Sequence, residues 1–274
     1  MTAAAATAVA PVTARAGGLG WVLANIATVT GRNLHRLVRV PTLAAFATAQ
    51  PVMFVLLFTY AFGGAIHPPG VEHYVDYLLP GLYVLTIAFG ASQTCVAVAE
   101  DLATGMIDRF RALPMARSAV LAGRAAADTV RNLFVLALMT AVGTAVGFRF
   151  HAGPAAAAGA IGLALLVGLA FSWINALIGL LVRDPEAAGL AGLLPVIALV
   201  FTSSTFVPVA TMPGWLQAFA NVNPVTVTVD ALRALCLGGP TAAPVWQALA
   251  WIGGLLAVTV PAAVLRYQRT TAPR

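Results

Sequence analysis

Along most of this chain, polar positions are confined to short breaks between long apolar runs. Six runs reach the roughly 20 residues that an α-helix needs to cross a bilayer: 43–63, 77–99, 132–150, 156–182, 187–207 and 243–265. The fourth is long enough to need tilt or an extension beyond the lipid. The fifth starts after the polar break Arg183-Asp184-Pro185-Glu186. A further apolar stretch, 208–236, is interrupted by Pro208, Pro213 and Pro224 and is not counted as a span, because proline breaks a helix interior. The pattern predicts an all-α polytopic membrane protein with six transmembrane helices.

Two segments outside the runs carry helical periodicity. Arg32, His35, Arg36 and Arg39 recur at i, i+3, i+4 and i+7, with Leu34, Leu37 and Val38 on the opposing side. That spacing predicts an N-terminal amphipathic interfacial helix, with arginines at the headgroups and leucines toward the acyl chains, ended by Pro41. It suits a juxtamembrane anchor and a lever for a cytosolic partner equally well. The loop Glu100–Asn132 then places nine charges between two uncharged runs. Leu102, Met106, Phe110 and Leu113 share one helical face, Glu100, Asp101, Asp108, Arg109 and Arg111 supply the polar remainder, and Pro114 stops the helix. An apolar stripe flanked by both signs of charge fits a groove on a protein partner, and it also fits the membrane surface. A second helix is expected from near Ser118, past Gly123, Arg124, Asp128 and Arg131, into the third span. On the other side, Met212-Pro213-Gly214-Trp215-Leu216 brings Trp215 to a membrane interface. Asn223-Pro224 breaks the chain before a short amphipathic stretch ending at Arg233. The alternatives there are a re-entrant or interfacial helical pair closing a cavity, and plain loop packing.

Composition turns this pattern into a class and an orientation. Of 274 residues, 60% are hydrophobic and 9% charged, against about 25% charged in soluble domains; mean hydropathy is +0.91. All 15 basic residues are arginine. With both termini cytosolic, 13 of the 15 fall on the cytosolic side and only Arg149 and Arg233 fall outside, as the positive-inside rule expects. Topology therefore accounts for the net charge of +6, and no aromatic–basic interleaving points to nucleic acid. Residues 1–18, rich in Ala, Thr, Gly and Pro, lack the h-region of a signal peptide and read as a disordered tail.

The absence of lysine removes whole classes of chemistry. A P-loop needs Lys at the nucleotide phosphates and a Schiff base needs it as nucleophile, so any ATP would be bound by another chain. Polar residues within the runs are few: Gln50, Ser92, Gln93, Thr94, Asn175 and Thr202-Ser203-Ser204-Thr205. No acidic or basic side chain is expected deep in a span, which argues against ion coupling. Gln93, Asn175, Thr202, Ser203 and Ser204 are candidates to line a substrate path, with Trp215 and Asn223 in a lid. His67, Glu72, His73 and Asp76 match no metal-ligand spacing and read as solvated loop residues; no metal site is expected. Cys95 and Cys236 belong to opposite membrane sides and cannot pair. Gly143 and Gly147 form a GxxxG, expected to serve packing within the bundle.

Three blocks resemble the ABC-2 type permeases, in particular the daunorubicin-resistance-type drug exporters. They are Glu100-Asp101 through Gly105, Asp108-Arg109, Arg111, Leu113-Pro114, Leu121 and Gly123-Arg124; Phe206-Val207-Pro208 with Met212-Pro213 and Trp215-Leu216; and Asn223-Pro224-Val225 through Ala231, Arg233 and Gly238-Gly239. Order, spacing and six-span layout agree from about residue 20, so residues 19–274 are expected to form one ABC-2 type transmembrane domain. The resemblance implies a permease subunit in a bacterial cytoplasmic membrane that is not itself an enzyme. A separate ABC ATPase subunit would bind ATP and Mg, leaving this chain without a cofactor. A second permease copy or a paralogue would complete the pore. The ATPase would act on a coupling loop holding Glu100, Asp101, Gly105, Asp108, Arg109, Phe110, Arg111 and Pro114, and on the interfacial helix with Arg32, Arg36 and Arg39. The uncharged spans favour hydrophobic cargo (a drug, polyketide or lipid). The rival readings are a lipid or polysaccharide exporter of the same architecture and a self-sufficient secondary transporter.

Overall fold

The computed structural model describes residues 19–39, 41–66, 71, 73–106, 117–182 and 184–270. Among them every regular element is helical: α1 Leu19–Arg39, α2 Pro41–Phe62, α3 Tyr74–Ala103, α4 Arg117–Val146, α5 Gly153–Leu181, α6 Pro185–Phe201, α7 Gly214–Val222, α8 Pro224–Leu237 and α9 Ala242–Thr270, with a 3-10 turn at Val209–Thr211. The expected tail 1–18 lies outside the described residues.

Helices α2, α3, α4, α5, α6 and α9 fall on the six apolar runs. Among the described residues, four stretches are long and apolar enough to cross a membrane: Tyr74–Ala103, Val120–Val146, Gly153–Leu181 and Ala242–Arg269. The apolar stretches Thr48–Phe62 and Pro185–Phe201 are shorter; the 17 residues of α6 rise about 25 Å, slightly less than a hydrocarbon core of about 30 Å.

The fifth run was expected to stay helical to 207, and α6 instead stops at Phe201. The reason is local. The hydroxyls of Thr202 and Ser203 donate to the carbonyls of Ala198 and Val200, and short hydroxyl side chains compete with the helix for backbone groups. Helix starts follow equally local rules. Pro41, Pro185 and Pro224 occupy first positions, where the missing N–H costs nothing. Asp184 caps α6 by accepting from the Ala187 amide at 2.7 Å, and Asn223 caps α8 by accepting from Val225 at 2.9 Å. With 9 and 14 residues, α7 and α8 are too short to cross a bilayer, which agrees with leaving 208–236 out of the spans.

Helix α3 is the centre of the bundle. Leu78, Leu79, Leu82, Tyr83, Leu85 and Ile87 are all fully buried, since α2, α4, α5, α6 and α8 pack around it. A helix apolar on every side is stable only in such a position or in lipid. By contrast, α9 turns Trp246, Trp251, Val258 and Leu265 outward, and α2 turns Met53, Leu57 and Tyr60 outward. Close approach depends on missing side chains. A Cβ on Gly143 would sit 2.6 Å from Leu79, and one on Gly179 would sit 2.5 Å from the Cys95 carbonyl. Gly143 of the GxxxG therefore serves packing within the chain, the use expected of small residues where no hydrophobic drive separates helix from lipid.

The amphipathic segment at 32–39 belongs to a longer helix than its periodicity indicated, because α1 begins at Leu19. It packs along the first turns of α4: Thr30 Oγ1 donates to the Gly123 carbonyl at 3.0 Å, and a Cβ on Gly123 would meet Val29 at 2.7 Å. The bundle thus has an α1 end, where α3 finishes and α4 begins, and an α8 end, where α3 begins and α6 finishes.

Candidate functional site

Two polar constellations occupy the two ends, the first of them reaching the surface at Asp230, whose side chain is 49% exposed. At the α8 end, Arg233 reaches from α8 to the first turn of α3 and to the turn after α6. Its Nε donates to the Tyr77 carbonyl at 2.9 Å. Its Nη1 donates to Ser204 Oγ at 3.1 Å and Asp230 Oδ1 at 3.0 Å, and its Nη2 to the carbonyls of Ser204 at 2.6 Å and Thr205 at 3.2 Å. Those are all five N–H donors a guanidinium owns. The cation also lies 3.5 Å from the Tyr77 ring centroid, a cation–π contact. Burial lowers the Arg233 pKa, while Tyr77 and Asp230 oppose the shift; an arginine stays protonated regardless. Tyr77 Oη donates to the Ser204 carbonyl at 2.9 Å and Ser204 Oγ to Asp230 Oδ1 at 2.7 Å. The carbonyls are available because the turn at 202–205 is no longer helical.

Toward the α1 end, the carboxylates are held by side chains instead. Arg124 Nη2 meets Asp101 Oδ2 at 2.7 Å, joining the last turn of α3 to α4. One helical turn further along α4, Asp128 is buried, and its Oδ2 accepts from Thr94 Oγ1 of α3 and from Ser172 Oγ of α5 at 2.7 Å. Arg131 stands 3.5 Å from its Oδ1. Asp128, expected in the charged segment before the third run, is buried against two other runs. The third apolar run was started at 132, yet the apolar helix begins at Val120 and buries Asp128 between two residues of other runs. Burying a carboxylate is costly without partners, and two hydroxyls plus a guanidinium supply them. Asp76 was expected in a solvated loop and is buried as well; it sits in the first turn of α3, its Oδ1 accepting from the Arg149 amide at 3.1 Å.

Of the expected coupling loop, Glu100 and Asp101 form the final turn of α3. The predicted stripe Leu102–Met106 does not continue on one helix: the chain leaves α3 at Thr104, and Gly105 takes φ +65°, the left-handed geometry that ends helices and that glycine adopts without strain. Asp108, Arg109, Phe110, Arg111 and Pro114 lie outside the described residues, as do the side chains of Arg36 and Arg39; Arg32 is exposed on α1.

The expected path residues are scattered. Gln93 is exposed on α3. Asn175 is buried in α5, its Nδ2 donating to the Phe171 carbonyl at 3.0 Å while its Oδ1 finds no partner. Thr202, Ser203 and Ser204 form the turn beneath Arg233. Asn223 is buried, and its Nδ2 donates to the Leu199 carbonyl at 2.7 Å, pinning α8 to α6. Trp215 is 75% exposed on α7. A half-open cleft of about 330 Å³ at the α8 end is lined by Thr59, Tyr60, Ile66, His73, Tyr74 and Val146 among others; none of the expected path residues lines it. Asp128, Ser172, Tyr77, Asp230 and the clamping role of Arg233 escaped the sequence reading. The available signal was an acid placed four residues after Arg124 at the mouth of an apolar run.

Residues 24–237 match the ABC-2 type transporter family. The chain is 34% identical over 223 residues to the daunorubicin resistance ABC transporter permease protein DrrB1 of Streptomyces coeruleorubidus, covering 81% of this chain and 78% of that one. It is 24% identical over 242 residues to the probable doxorubicin resistance ABC transporter permease protein DrrC of Mycobacterium tuberculosis, covering 88% and 87%. A putative transport permease, ycf38, of Cyanophora paradoxa is 25% identical over 191 residues, 68% of this chain and 65% of the relative. With more than half of its length matched and these arrangements in place at both ends of an all-helical bundle, the chain belongs to the ABC-2 type transporter family.

Proposed function

We propose that this chain is the transmembrane subunit of an ATP-driven exporter that moves lipophilic compounds of the drug or polyketide kind out across a bacterial cytoplasmic membrane. The observation that carries the reading is the 34% identity to a daunorubicin resistance permease over 81% of the chain. The sequence contains no lysine and so no P-loop; in this reading a separate subunit supplies the ATPase. Two permeases, identical or paralogous, pair with two such ATPases.

All six runs cross the membrane with both termini cytosolic, in keeping with the side on which 13 of 15 arginines fall. The α1 end is then cytosolic and the α8 end external. Residues 100–114 receive the ATPase stroke, and the Asp101–Arg124 pair ties α3 to α4. Helices α7 and α8 form an external lid, fastened by Arg233.

The test is co-purification and transport. A C-terminally tagged chain extracted in mild detergent should bring with it a stoichiometric P-loop ATPase, and inside-out vesicles containing both should accumulate daunorubicin only with ATP. Uptake driven by an ion gradient without the ATPase would overturn the reading in favour of a secondary transporter. ATP-dependent uptake of a lipid-linked glycan in place of daunorubicin would reassign the cargo.

A further inference from the structure

The cleft at the α8 end is framed by three helix ends: the close of α2 with Gly63 and Gly64, the start of α3 beside His73, and Val146, the last residue of α4. Its volume of about 330 Å³ falls within the range of small-molecule sites, about 300–1,000 Å³. Its chemistry follows from how α2 ends. The Gly63 amide takes the Thr59 carbonyl at 2.9 Å, and the amides of Ala65 and Ile66 both turn to the Phe62 carbonyl, at 2.9 and 3.0 Å. Among the described residues no backbone amide reaches the carbonyls of Tyr60 and Ala61, so the last turn keeps acceptors that lack an amide donor. The carbonyl end of a helix also carries roughly half a negative charge. Gly63 permits this close, since a Cβ there would run into the Thr59 carbonyl oxygen. Tyr60 lines the same cleft and is 74% exposed, which leaves its ring uncovered. Ile66, Val71 and Val75 add apolar wall, and no arginine, aspartate or glutamate is among the lining residues. The cation nearby in the fold, Arg233, is already paired with Asp230.

We propose that this cleft binds a lipophilic organic cation, an amine carried on an apolar ring body. The amine's N–H groups meet the carbonyls left open at the end of α2, its charge lies at the face of the Tyr60 ring, and the ring body covers Ile66, Val71 and Val75. An anion meets both the carbonyl end of a helix and the negative face of a ring. A neutral body of the same shape gains only the apolar wall. With no acidic side chain in that wall the hold is modest, as release from an outer site requires. The inference rests on the exporter reading above and deepens it, by naming the class of cargo held at the external end.

The experiment uses the full chain with its co-purifying ATPase in phosphatidylcholine nanodiscs, without nucleotide, with empty discs as the baseline. Fluorescence anisotropy reads the binding of two probes: daunorubicin, whose amine is protonated at neutral pH, and N-acetyldaunorubicin, which keeps the ring body and loses the charge. Daunorubicin should bind about tenfold more tightly. Tyr60→Leu should shrink that ratio to about threefold or less and leave the N-acetyl form unchanged. Gly64→Trp, at a position where a Cβ meets nothing within 4 Å, and Val146→Trp, from the opposite wall, should each abolish saturable binding of both probes. Elution of every variant with its ATPase in the unmodified ratio shows that the fold is intact. Equal affinities for the two probes in the unmodified chain overturn the cation site. Full daunorubicin binding by both tryptophan variants overturns the cleft as its place, and no saturable binding above empty discs overturns both. Failure of the exporter reading shows separately, as the absence of any co-purifying ATPase; the same comparison on the permease alone then still decides the cleft.

Discussion

At the α8 end a buried cation is enclosed largely by backbone carbonyls, whereas toward the α1 end a buried anion is enclosed by hydroxyls from neighbouring helices. Arg233 takes three of its five bonds from the carbonyls of Tyr77, Ser204 and Thr205; Asp128 takes its bonds from Thr94 and Ser172. The difference follows from where helices end. Inside a helix most carbonyls are already engaged by the backbone, so Asp128, itself an acceptor in mid-helix, finds its donors on side chains of neighbouring helices. Past Phe201 the helix has stopped, and its turn presents free carbonyls in a fixed array. The α8-end clamp therefore depends on the shape of one turn and on the flat fork of arginine. The α1-end cluster depends on which residues stand opposite one another on three helices.

The comparison can be broken at either end. The largest effect is expected from Arg233→Ala, which leaves three carbonyls without their donor and, at about 1 kcal/mol for each, should cost about 3 kcal/mol, read by equilibrium unfolding in mixed micelles; a cost below that of removing Thr94 would reverse the ranking of the two ends. Arg233→Lys should recover little, losing about 2–3 kcal/mol, because a point charge with three donors cannot span five acceptors. Full rescue by lysine would show that charge alone holds the clamp. At the other end, Thr94→Val and Ser172→Ala should each cost about 1.5–3 kcal/mol. Since both donate to one oxygen, their double-mutant cycle should show a coupling of at least about 0.5 kcal/mol; strict additivity would separate them into independent contacts. Smallest, Asn223→Ala removes the cap of α8 and its tie to α6, for about 1 kcal/mol. Limited proteolysis near 202–213 should quicken in that variant, and no change in cleavage would remove Asn223 from the fastening of the α8 end.

Much of the architecture was legible along the chain. The six runs became six helices, Asp184-Pro185 and Asn223-Pro224 announced two helix starts, and the prolines of 208–236 kept that stretch from crossing. Two of the misreadings had local causes and one did not. Thr202 to Thr205 read as span residues by average hydropathy, and their hydroxyls end the helix. Leu102 and Met106 kept the helical spacing, and Gly105 takes the backbone out of it. Asp128 read as a loop charge because a window of composition cannot register a partner on another helix. The segment from Asp108 to Pro114, on which the coupling argument rests, lies outside the described residues.

The sequence by itself determined an all-helical membrane protein, the positions of its long apolar segments, its family and its inability to bind nucleotide through a P-loop. Those properties are additive along the chain: hydropathy accumulates over a window, caps act within a turn, and a missing residue type is missing everywhere. Only the tertiary structure decided which charges are buried and what holds them. Thr94 and Asp128 are 34 positions apart, Ser172 and Asp128 are 44, and Tyr77 and Arg233 are 156. No periodicity of one helix encodes such a meeting. It follows from where helices approach closely enough, at glycines such as 143 and 179, to set the register in which their polar side chains face each other.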